Sequence, residues 1–393
     1  MTVSPEARPS DSPPEIPCGA RWREREAVVQ ERALAGGSTV VCCSARPGSG
    51  GLGRHLSEIL AALERGGHPH QCISGATRQA AASGARAGLA AGRSNLAGLL
   101  AATPLARSPG IRTRAFMVEF DTFAAGRLTA VEHLIAFNGQ ALRQLRAARR
   151  AGYESVALVS ANSHLRHVAR QHARALARHP LERSWTTHLV ARNEREYGLA
   201  DRIYWATSYI RDSFLAAGVA EERLARFPLT PDPRYRPVTG TGASAEGSAS
   251  QSFEVVYVGS LAVHKGVPLL IDAFRRLPHR DMRLVLVGGW GARGMRRFVQ
   301  GACAADPRIV AGPGDPLPSL RRASVCVHAA YEDGFGYAPA EALACGVPLL
   351  VSEDTGMKEL IDSPRAGLIL PTGDLDALSE AIDAAYRGEI FGG

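Results

Sequence analysis

The chain has 393 residues, of which 45% are hydrophobic, 21% charged and 6% aromatic. This balance is typical of a globular protein and excludes a disordered, collagen-like or coiled-coil chain, and the length predicts about two to three domains. The formal net charge of +8 suggests an anionic partner, but Lys265 and Lys358 are the only lysines among the 46 basic residues. Because this bias indicates a general preference for Arg, the bulk charge is poor evidence for a nucleic-acid partner, and we expect none.

The cysteines and the N-terminus predict a compartment. The seven cysteines form no C-x-x-C pair, and most lie in apolar runs such as 40–43, where a thiol behaves as a small buried hydrophobe. No apolar run approaches the roughly 20 residues that span a bilayer, and the N-terminus is rich in Pro, Ser and Glu, unlike a signal peptide. We therefore expect a cytoplasmic protein that is at most peripheral to a membrane.

Residues 1–37 are rich in Pro and charged side chains, which predicts a flexible N-terminal extension with one short helix. From Thr39 the pattern changes to a short apolar strand, a glycine-rich turn over 47–53 and a helix with apolar residues at helical spacing. Further strands are predicted at 134–137, 155–159 and 203–206, with helices at 140–151 and 165–177 between them. Such alternation predicts a doubly wound, parallel-sheet domain over residues 38–235.

A second unit follows a Gly, Ser and Ala-rich linker at 236–252. In residues 253–393 strands again alternate with helices, and they are predicted at 254–258, 283–287, 308–310, 324–328, 348–352 and 367–370. The sequence therefore predicts an α/β protein with two Rossmann-like, doubly wound parallel-sheet domains that face each other across a cleft. Ligands of such sheets bind outside the carboxyl ends of the strands, so the loops there are the candidate site.

The segment 331–348 follows one of these strands and opens a helix of about two turns. Gly334 and Gly336 allow backbone N–H groups to face an anion at the positive end of that helix. Asp333 lies eight residues before Glu341. A nucleotide sugar would suit this pattern, with Asp333 at the sugar, amides at the phosphates and Glu341 on the ribose diol. The alternative is an ordinary helix start with a solvent-facing Glu.

This segment resembles the Glu-x7-Glu motif of retaining GT-B glycosyltransferases, in particular glycosyltransferase family 4, with Asp333 in place of the first Glu. The segment 258–274 is similar to that family's strand, Gly-Arg loop and Lys-Gly helix start. The resemblance implies that Lys265 contacts the donor diphosphate. Ser260 stands where the family has an Arg, so part of the leaving-group charge must be balanced by other groups.

The N-terminal half matches the same family more loosely. Gly51 lies in the segment 50–55, which resembles the glycine-rich loop under the donor phosphates. The segment 160–167 resembles a Ser-His loop that places His164 near the transferred sugar. His164 and His167 have the spacing of a metal pair, but no carboxylate accompanies them, and we expect the histidines of this helix other than His164 to be mostly solvated.

Asp374-Leu-Asp376 has the D-x-D form of a metal-binding glycosyltransferase motif. It follows Thr372-Gly373 and precedes an apolar helical run, so N-capping explains it better. We expect no metal site, no metal requirement and no cofactor other than the co-substrate.

The resemblance implies a retaining hexosyltransferase that uses a nucleotide-diphosphate sugar. We expect it to be metal-independent, with a UDP-sugar as the first candidate donor and an unknown saccharide, lipid-linked or small-molecule acceptor. A non-catalytic protein that binds sugar nucleotides is the alternative. Family members commonly continue with a helix that crosses back to the first domain, whereas this chain ends at Gly393, so we expect either truncation or the lack of that helix. The expected catalytic residues are Lys265, Asp333 and His164, and the expected donor-binding residues are Gly51, Gly259, Ser260, Lys265, Gly334, Phe335, Gly336, Tyr337 and Glu341.

Overall fold

The computed structural model describes residues 20–34, 36–75, 87–88, 108–237 and 252–391. The first part contains a parallel sheet whose strands are β1 Thr39–Cys43, β2 His70–Ser74, β3 Ala87–Gly88, β4 His133–Phe137, β5 Ser155–Val159, β6 Arg202–Trp205 and β7 Leu224–Arg226. Its helices are Ala20–Ala33, Gly50–Arg65, Pro109–Ala125, Leu142–Arg150, Leu165–Arg178, Val190–Leu199 and Ser208–Leu215. Every residue of β1 and β4 is buried, as expected for strands covered by helices on both faces.

The second part contains a parallel sheet whose strands are β8 Phe253–Val258, β9 Met282–Val287, β10 Ile309–Gly312, β11 Val325–His328, β12 Leu349–Ser352 and β13 Gly367–Leu370. Its helices are Val267–Arg275, Arg293–Ala305, Leu317–Leu320, Tyr337–Ala344 and Leu375–Tyr386. The strands β11 and β12 are buried along their whole length and are both internal strands of this sheet. None of the described helices is both long and apolar enough to cross a membrane.

The strand order places a crevice in each sheet. The first sheet has the order β3-β2-β1-β4-β5-β6-β7 and the second β10-β9-β8-β11-β12-β13. In both sheets the chain adds its second and third strands on one side of the first strand and then adds the fourth strand on the other side. This switch point lies between β1 and β4 in the first sheet and between β8 and β11 in the second. Ligands of doubly wound sheets bind outside the carboxyl ends of the strands at this switch point. The loops after β8 and β11 carry Lys265 and Asp333, so both residues lie at that place.

The predicted alternation of strands and helices is confirmed, and the strand ends differ by only one or two residues from the prediction. The two edge strands β3 and β7, and β2 next to the edge, were missed. The first two residues of β2, His70 and Gln71, are polar and not buried, so they do not produce the apolar run by which an internal strand is found. The predicted linker at 236–252 falls outside the described residues except for 236, 237 and 252.

The predicted short helix of the N-terminal extension is present as Ala20–Ala33, but it packs on the first domain. Glu26, Gln30 and Leu34, spaced four apart, are buried together. Gln30 donates to the backbone O of Pro228 at 2.8 Å, and the Glu26 carboxylate pairs with Arg226 at 2.9 Å. The prediction of a flexible extension was therefore wrong for residues 20–34, because this helix is anchored largely by polar side chains. Residues 1–19 lie outside the described part.

Candidate functional site at the carboxyl ends of β8 and β11

The loops after β8 and β11 are fastened to each other. The backbone N–H of Tyr331 donates to the carbonyl of His264 at 2.8 Å. Gly266 has a φ of +72°, and a Cβ there would lie 1.9 Å from the carbonyl O of Ala329. Only glycine combines this conformation with so close an approach. The Lys-Gly pair at the start of helix Val267–Arg275 thus holds Lys265 beside the loop that carries Asp333.

Asp333 lies between two basic side chains. Its Oδ2 is 2.9 Å from Lys265 Nζ and 2.9 Å from His328 Nε2, and the residue is only 9% exposed. Burial favours the neutral acid, but the charges and hydrogen bonds of Lys265 and His328 outweigh it and hold the pKa of Asp333 well below its usual range. Two predicted catalytic residues are therefore brought into direct contact. His328 was missed, although a polar residue at the carboxyl end of a buried strand was a usable signal.

The glycine loop of this segment lies against the first domain. The carbonyl of Gly334 accepts a hydrogen bond from Thr207 Oγ1 at 2.8 Å, and a Cβ on Gly334 would lie 3.0 Å from the carbonyl O of Ala161. Gly336 precedes helix Tyr337–Ala344 and provides no side-chain cap. Amide N–H groups at such a helix start favour a negatively charged partner. The loop therefore combines an anion-binding backbone with a contact between the domains.

Glu341, the predicted ribose ligand, pairs with a residue of the first domain. Its Oε1 is 2.5 Å from Arg54 Nη2, without the alignment of a hydrogen bond, and the Arg54 guanidinium lies 3.9 Å from the centre of the Tyr337 ring. Burial raises the pKa of Glu341, and the Arg54 charge opposes that rise. Arg54 lies in the glycine-rich segment 50–55 but was not singled out, because an Arg is an uninformative residue in this Arg-rich chain.

A second contact between the domains joins Tyr337 to Glu58. The Tyr337 hydroxyl donates to Glu58 Oε1 at 2.9 Å, and Glu58 Oε2 accepts hydrogen bonds from Gln30 Nε2 and from the backbone N–H of Thr230. Burial raises the pKa of Glu58 to about 7, although these donors favour the carboxylate. Phe335 packs at 4.9 Å from the Tyr337 ring and against the core of the first domain. The two predicted aromatic donor-site residues thus lie at the contact between the domains.

Glu332, which precedes Asp333, was also missed. It is buried, and its Oε1 accepts a hydrogen bond from the backbone N–H of Ser163 at 3.3 Å. Burial raises the pKa of Glu332. This contact places the Ser-His loop of the first domain against Glu332, the residue next to Asp333, in the second domain.

His164 is buried within the first domain. Its ring lies 4.8 Å from the Tyr197 ring and 5.3 Å from the Phe214 ring, and its Nδ1 accepts from the backbone N–H of Arg166 at the helix start. Burial lowers the pKa of His164 to about 4, so the imidazole is neutral near pH 7. Its ring is absent from the hydrogen bonds described for Asp333. His164 is nevertheless adjacent to Ser163, the residue that contacts Glu332.

The expectation that the remaining histidines of helix Leu165–Arg178 and its end are mostly solvated was wrong. His172 is only 1% exposed. His167 Nε2 lies 2.7 Å from the Tyr209 hydroxyl, and His179 Nε2 lies 2.9 Å from Asp272 of the second domain. Ala175 of this helix packs in the core cluster of the second domain, so the helix contacts both domains.

The other predicted donor-site positions occupy the rim. Gly51 is exposed, and a Cβ there would lie 3.8 Å from the Tyr337 ring. Gly259 has a φ of +145°, and the carbonyl of the exposed Ser260 accepts from the Tyr257 hydroxyl at 2.8 Å. Gly259 and Ser260 lie in the loop that leads from β8 to Lys265.

Asp374 caps a helix, as predicted. Its Oδ1 accepts hydrogen bonds at 3.0 Å from the backbone N–H groups of Asp376 and Ala377. The D-x-D segment therefore serves the start of helix Leu375–Tyr386.

The site can accept a group with two negative charges. A cation and a helix start face the charges, and a carboxylate lies at each end of the group. Lys265 supplies a compact ammonium, and the glycine loop supplies amides. Asp333 and Glu341 supply acceptors for hydroxyl groups at its two ends. Preorganised donors of this kind stabilise negative charge that develops on a leaving group.

Comparison with known proteins gives a family match for one part of the chain. Residues 243–390 match the family described as "Glycosyl transferases group 1". The D-inositol 3-phosphate glycosyltransferase of Paenarthrobacter aurescens (strain TC1) is 27% identical over 164 residues, which is 38% of this chain and 40% of that protein. The O-antigen chain mannosyltransferase B of Escherichia coli is 31% identical over 135 residues, which is 32% of this chain and 35% of that protein. The matches thus span about two fifths or less of these relatives.

Solved structures match over a greater length and show the fold. Sucrose-phosphate synthase from Thermosynechococcus elongatus has a TM-score of 0.65 at 18% identity, covering 89% of this chain and 90% of that one. The Anabaena protein HepE in complex with UDP and glucose has a TM-score of 0.55 at 14% identity, covering 90% of each chain. Residues 243–390 thus match the glycosyl transferases group 1 family, and the described chain has the GT-B fold of these solved structures.

Proposed function

We propose that this protein transfers a hexosyl group from a nucleotide-diphosphate sugar, with a UDP-sugar as the first candidate, to a hydroxyl acceptor with retention at the anomeric carbon. The observation that carries this proposal is the ion pair of Lys265 and Asp333 at the switch point of the second sheet, with Glu341 on the helix that follows Asp333. The names of the relatives support it, because two are glycosyltransferases and a structural neighbour holds UDP and glucose.

In this proposal the donor replaces contacts that the free protein makes with itself. Lys265 exchanges its contact with Asp333 for the diphosphate, and the amides at the start of helix Tyr337–Ala344 bind the same group. Asp333 then accepts from a sugar hydroxyl while His328 holds its carboxylate in place. Glu341 releases Arg54 and accepts both ribose hydroxyls.

The chemical step needs no enzymic nucleophile. The bond between the anomeric carbon and the diphosphate oxygen breaks, the acceptor oxygen attacks from the same face, and the acceptor proton passes to the leaving phosphate. Lys265 and the loop amides stabilise the charge of the leaving group. His164, neutral near pH 7 because of its lowered pKa, is proposed to lie beside the sugar through the contact of its loop with Glu332.

Arg54 is proposed to supply the charge that Ser260 lacks. In the free protein its guanidinium is held between Glu341 and the Tyr337 ring. When the ribose occupies Glu341, this cation is left beside the helix start where the diphosphate would bind. A cation from the first domain would then couple donor binding to closure of the cleft, which excludes water from the reaction.

The test is a panel of nucleotide sugars in which melting temperature and release of nucleoside diphosphate are measured for each. We expect one donor to raise the melting temperature and to be turned over when an acceptor is supplied. Lys265→Ala and Glu341→Ala should each lower turnover by about one to several orders of magnitude. Lys358→Ala is the matched control, since it removes the other lysine of the chain, and should leave turnover unchanged.

Two outcomes would contradict the proposal in different ways. Stabilisation by a donor without any release of nucleoside diphosphate, across a broad set of acceptors, would indicate the non-catalytic alternative. Unchanged turnover in both Lys265→Ala and Glu341→Ala would show that the active site lies elsewhere.

A further inference from the structure

Three side chains from separate segments meet beside the loop of Lys265. His172 lies on helix Leu165–Arg178, Glu182 follows that helix, and His264 precedes Lys265. One potential ligand atom from each lies within 4.8 Å of the others. His172 Nε2 is 3.5 Å and His264 Nδ1 is 3.8 Å from Glu182 Oε1. The sequence prediction of no metal site considered only residues close together in the chain and therefore did not consider this cluster.

Both imidazole nitrogens that face Glu182 are buried and unpaired in the described part of the chain. Neither His172 Nε2 nor His264 Nδ1 has a hydrogen-bond partner, and His172 is 1% exposed. A buried polar atom without a partner costs about 1–3 kcal/mol. Two such atoms face one carboxylate oxygen, an arrangement that a further group bound between them would satisfy.

The spacing and the donor set fit a transition-metal ion. Zinc binds imidazole nitrogen and carboxylate oxygen at about 2.0–2.2 Å with tetrahedral geometry, which puts neighbouring donor atoms roughly 3.3–3.6 Å apart. The two distances to Glu182 Oε1 are 3.5 and 3.8 Å, close to that range. Ser184 Oγ lies 3.5 Å from His172 Nδ1, on the side from which a second residue orients a metal-bound imidazole.

We propose that His172 Nε2, Glu182 and His264 Nδ1 bind a divalent transition-metal ion, with zinc as the best match and water at the fourth position. Two neutral imidazoles and one carboxylate leave the site with a net charge of +1.

The ion would join the two domains. His172 and Glu182 precede the predicted linker at 236–252, and His264 follows it. Glu182 already accepts from the backbone N–H of Val263 at 3.3 Å, and the carbonyl of His264 holds the Tyr331 N–H. The metal would thus fix the loop of Lys265 against the first domain. It takes no part in the proposed transfer step, so this inference is independent of the proposed function.

The test is the metal content of the purified full-length chain. The protein is incubated with zinc, desalted and analysed by mass spectrometry for bound metal, and its melting temperature is measured with and without zinc. Cobalt is added in a separate experiment, since Co²⁺ in a tetrahedral site absorbs visible light. We expect about one zinc per chain, a higher melting temperature with zinc, and the absorption of tetrahedral cobalt.

Variants locate the ion. Loss of residues that merely orient zinc ligands lowers metal affinity about 10–100-fold, so His172→Ala and the isosteric Glu182→Gln should lower it by at least as much. His179→Ala is the matched control, because His179 follows the same helix and also contacts the second domain, and it should keep the metal. Circular dichroism establishes that each variant is folded.

Two results would overturn the inference. One is a folded wild-type chain that binds neither zinc nor cobalt and shows no change in melting temperature. The other is undiminished zinc binding by folded Glu182→Gln and His172→Ala, which would place the ion elsewhere. In either case the three side chains would form a polar contact between the domains without a metal.

Discussion

We predict that the contact between Lys265 and Asp333 stabilises the free protein. The two charged atoms are 2.9 Å apart, and the side chains are only 20% and 12% exposed. At an effective dielectric constant of about 20, Coulomb's law gives roughly 6 kcal/mol for unit charges at this distance. Desolvation offsets part of this attraction, and His328 remains as a second partner, so Lys265→Met should lower the free energy of unfolding by about 3 kcal/mol.

A double-mutant cycle isolates this contact. Asp333→Asn removes the buried charge, so it should recover part of the loss in the Lys265→Met background, with a coupling of about 2–3 kcal/mol. Urea unfolding followed by tryptophan fluorescence measures the four proteins. Lys358→Met is the control and should change stability by less than about 0.5 kcal/mol. A loss below about 1 kcal/mol, or effects of the two substitutions that simply add, would refute the ion pair as a source of stability.

Three further predictions concern other residues of the cleft. Glu341→Gln should weaken UDP binding but leave pyrophosphate binding unchanged in calorimetry, and equal loss for both ligands would contradict a ribose contact. The pKa of Glu58 is raised from 4.5 to about 7, so this group disfavours folding by roughly 3 kcal/mol above pH 7 and by nothing below its unfolded value. Glu58→Gln should therefore flatten the fall in melting temperature between about pH 4.5 and 7, and an unaltered slope would show that another group titrates there. Gly334→Ala should lower the melting temperature by opening the cleft, because its Cβ would lie 3.0 Å from the carbonyl O of Ala161; an unchanged value would mean that the loops separate without cost.

The fold was predictable because its central strands are covered on both faces. Such strands are short, continuous apolar runs, and β1, β4, β11 and β12 could therefore be located from the amino-acid sequence alone. The strands β2 and β7 were harder to find because much of each is not buried. The helix Ala20–Ala33 was predicted, but its packing on the first domain was not, since polar residues anchor it. Glu26 and Gln30 carry no apolar signal, yet both are buried.

The geometry of the candidate site was predictable where it follows a strand and not where it depends on the other domain. Lys265 and Asp333 lie in loops after adjacent strands, so topology alone brings them together. Arg54 meets Glu341 because two domains close on each other, and no spacing in the sequence reports that contact. The cluster of His172, Glu182 and His264 could not be predicted for the same reason, because its members come from three separate segments.

The central claim, that a nucleoside diphosphate binds at Lys265, is tested most directly by NMR of the lysine side chains. The chain has two lysines, so protein labelled with 13C at the lysine ε carbon shows one signal for Lys265 and one for Lys358. Lys265→Arg and Lys358→Arg, each removing one signal, assign them. On titration with UDP we predict that the Lys265 signal shifts as binding saturates and that the Lys358 signal does not. If calorimetry shows UDP binding while the Lys265 signal stays in place, the diphosphate lies elsewhere and the proposed site is wrong.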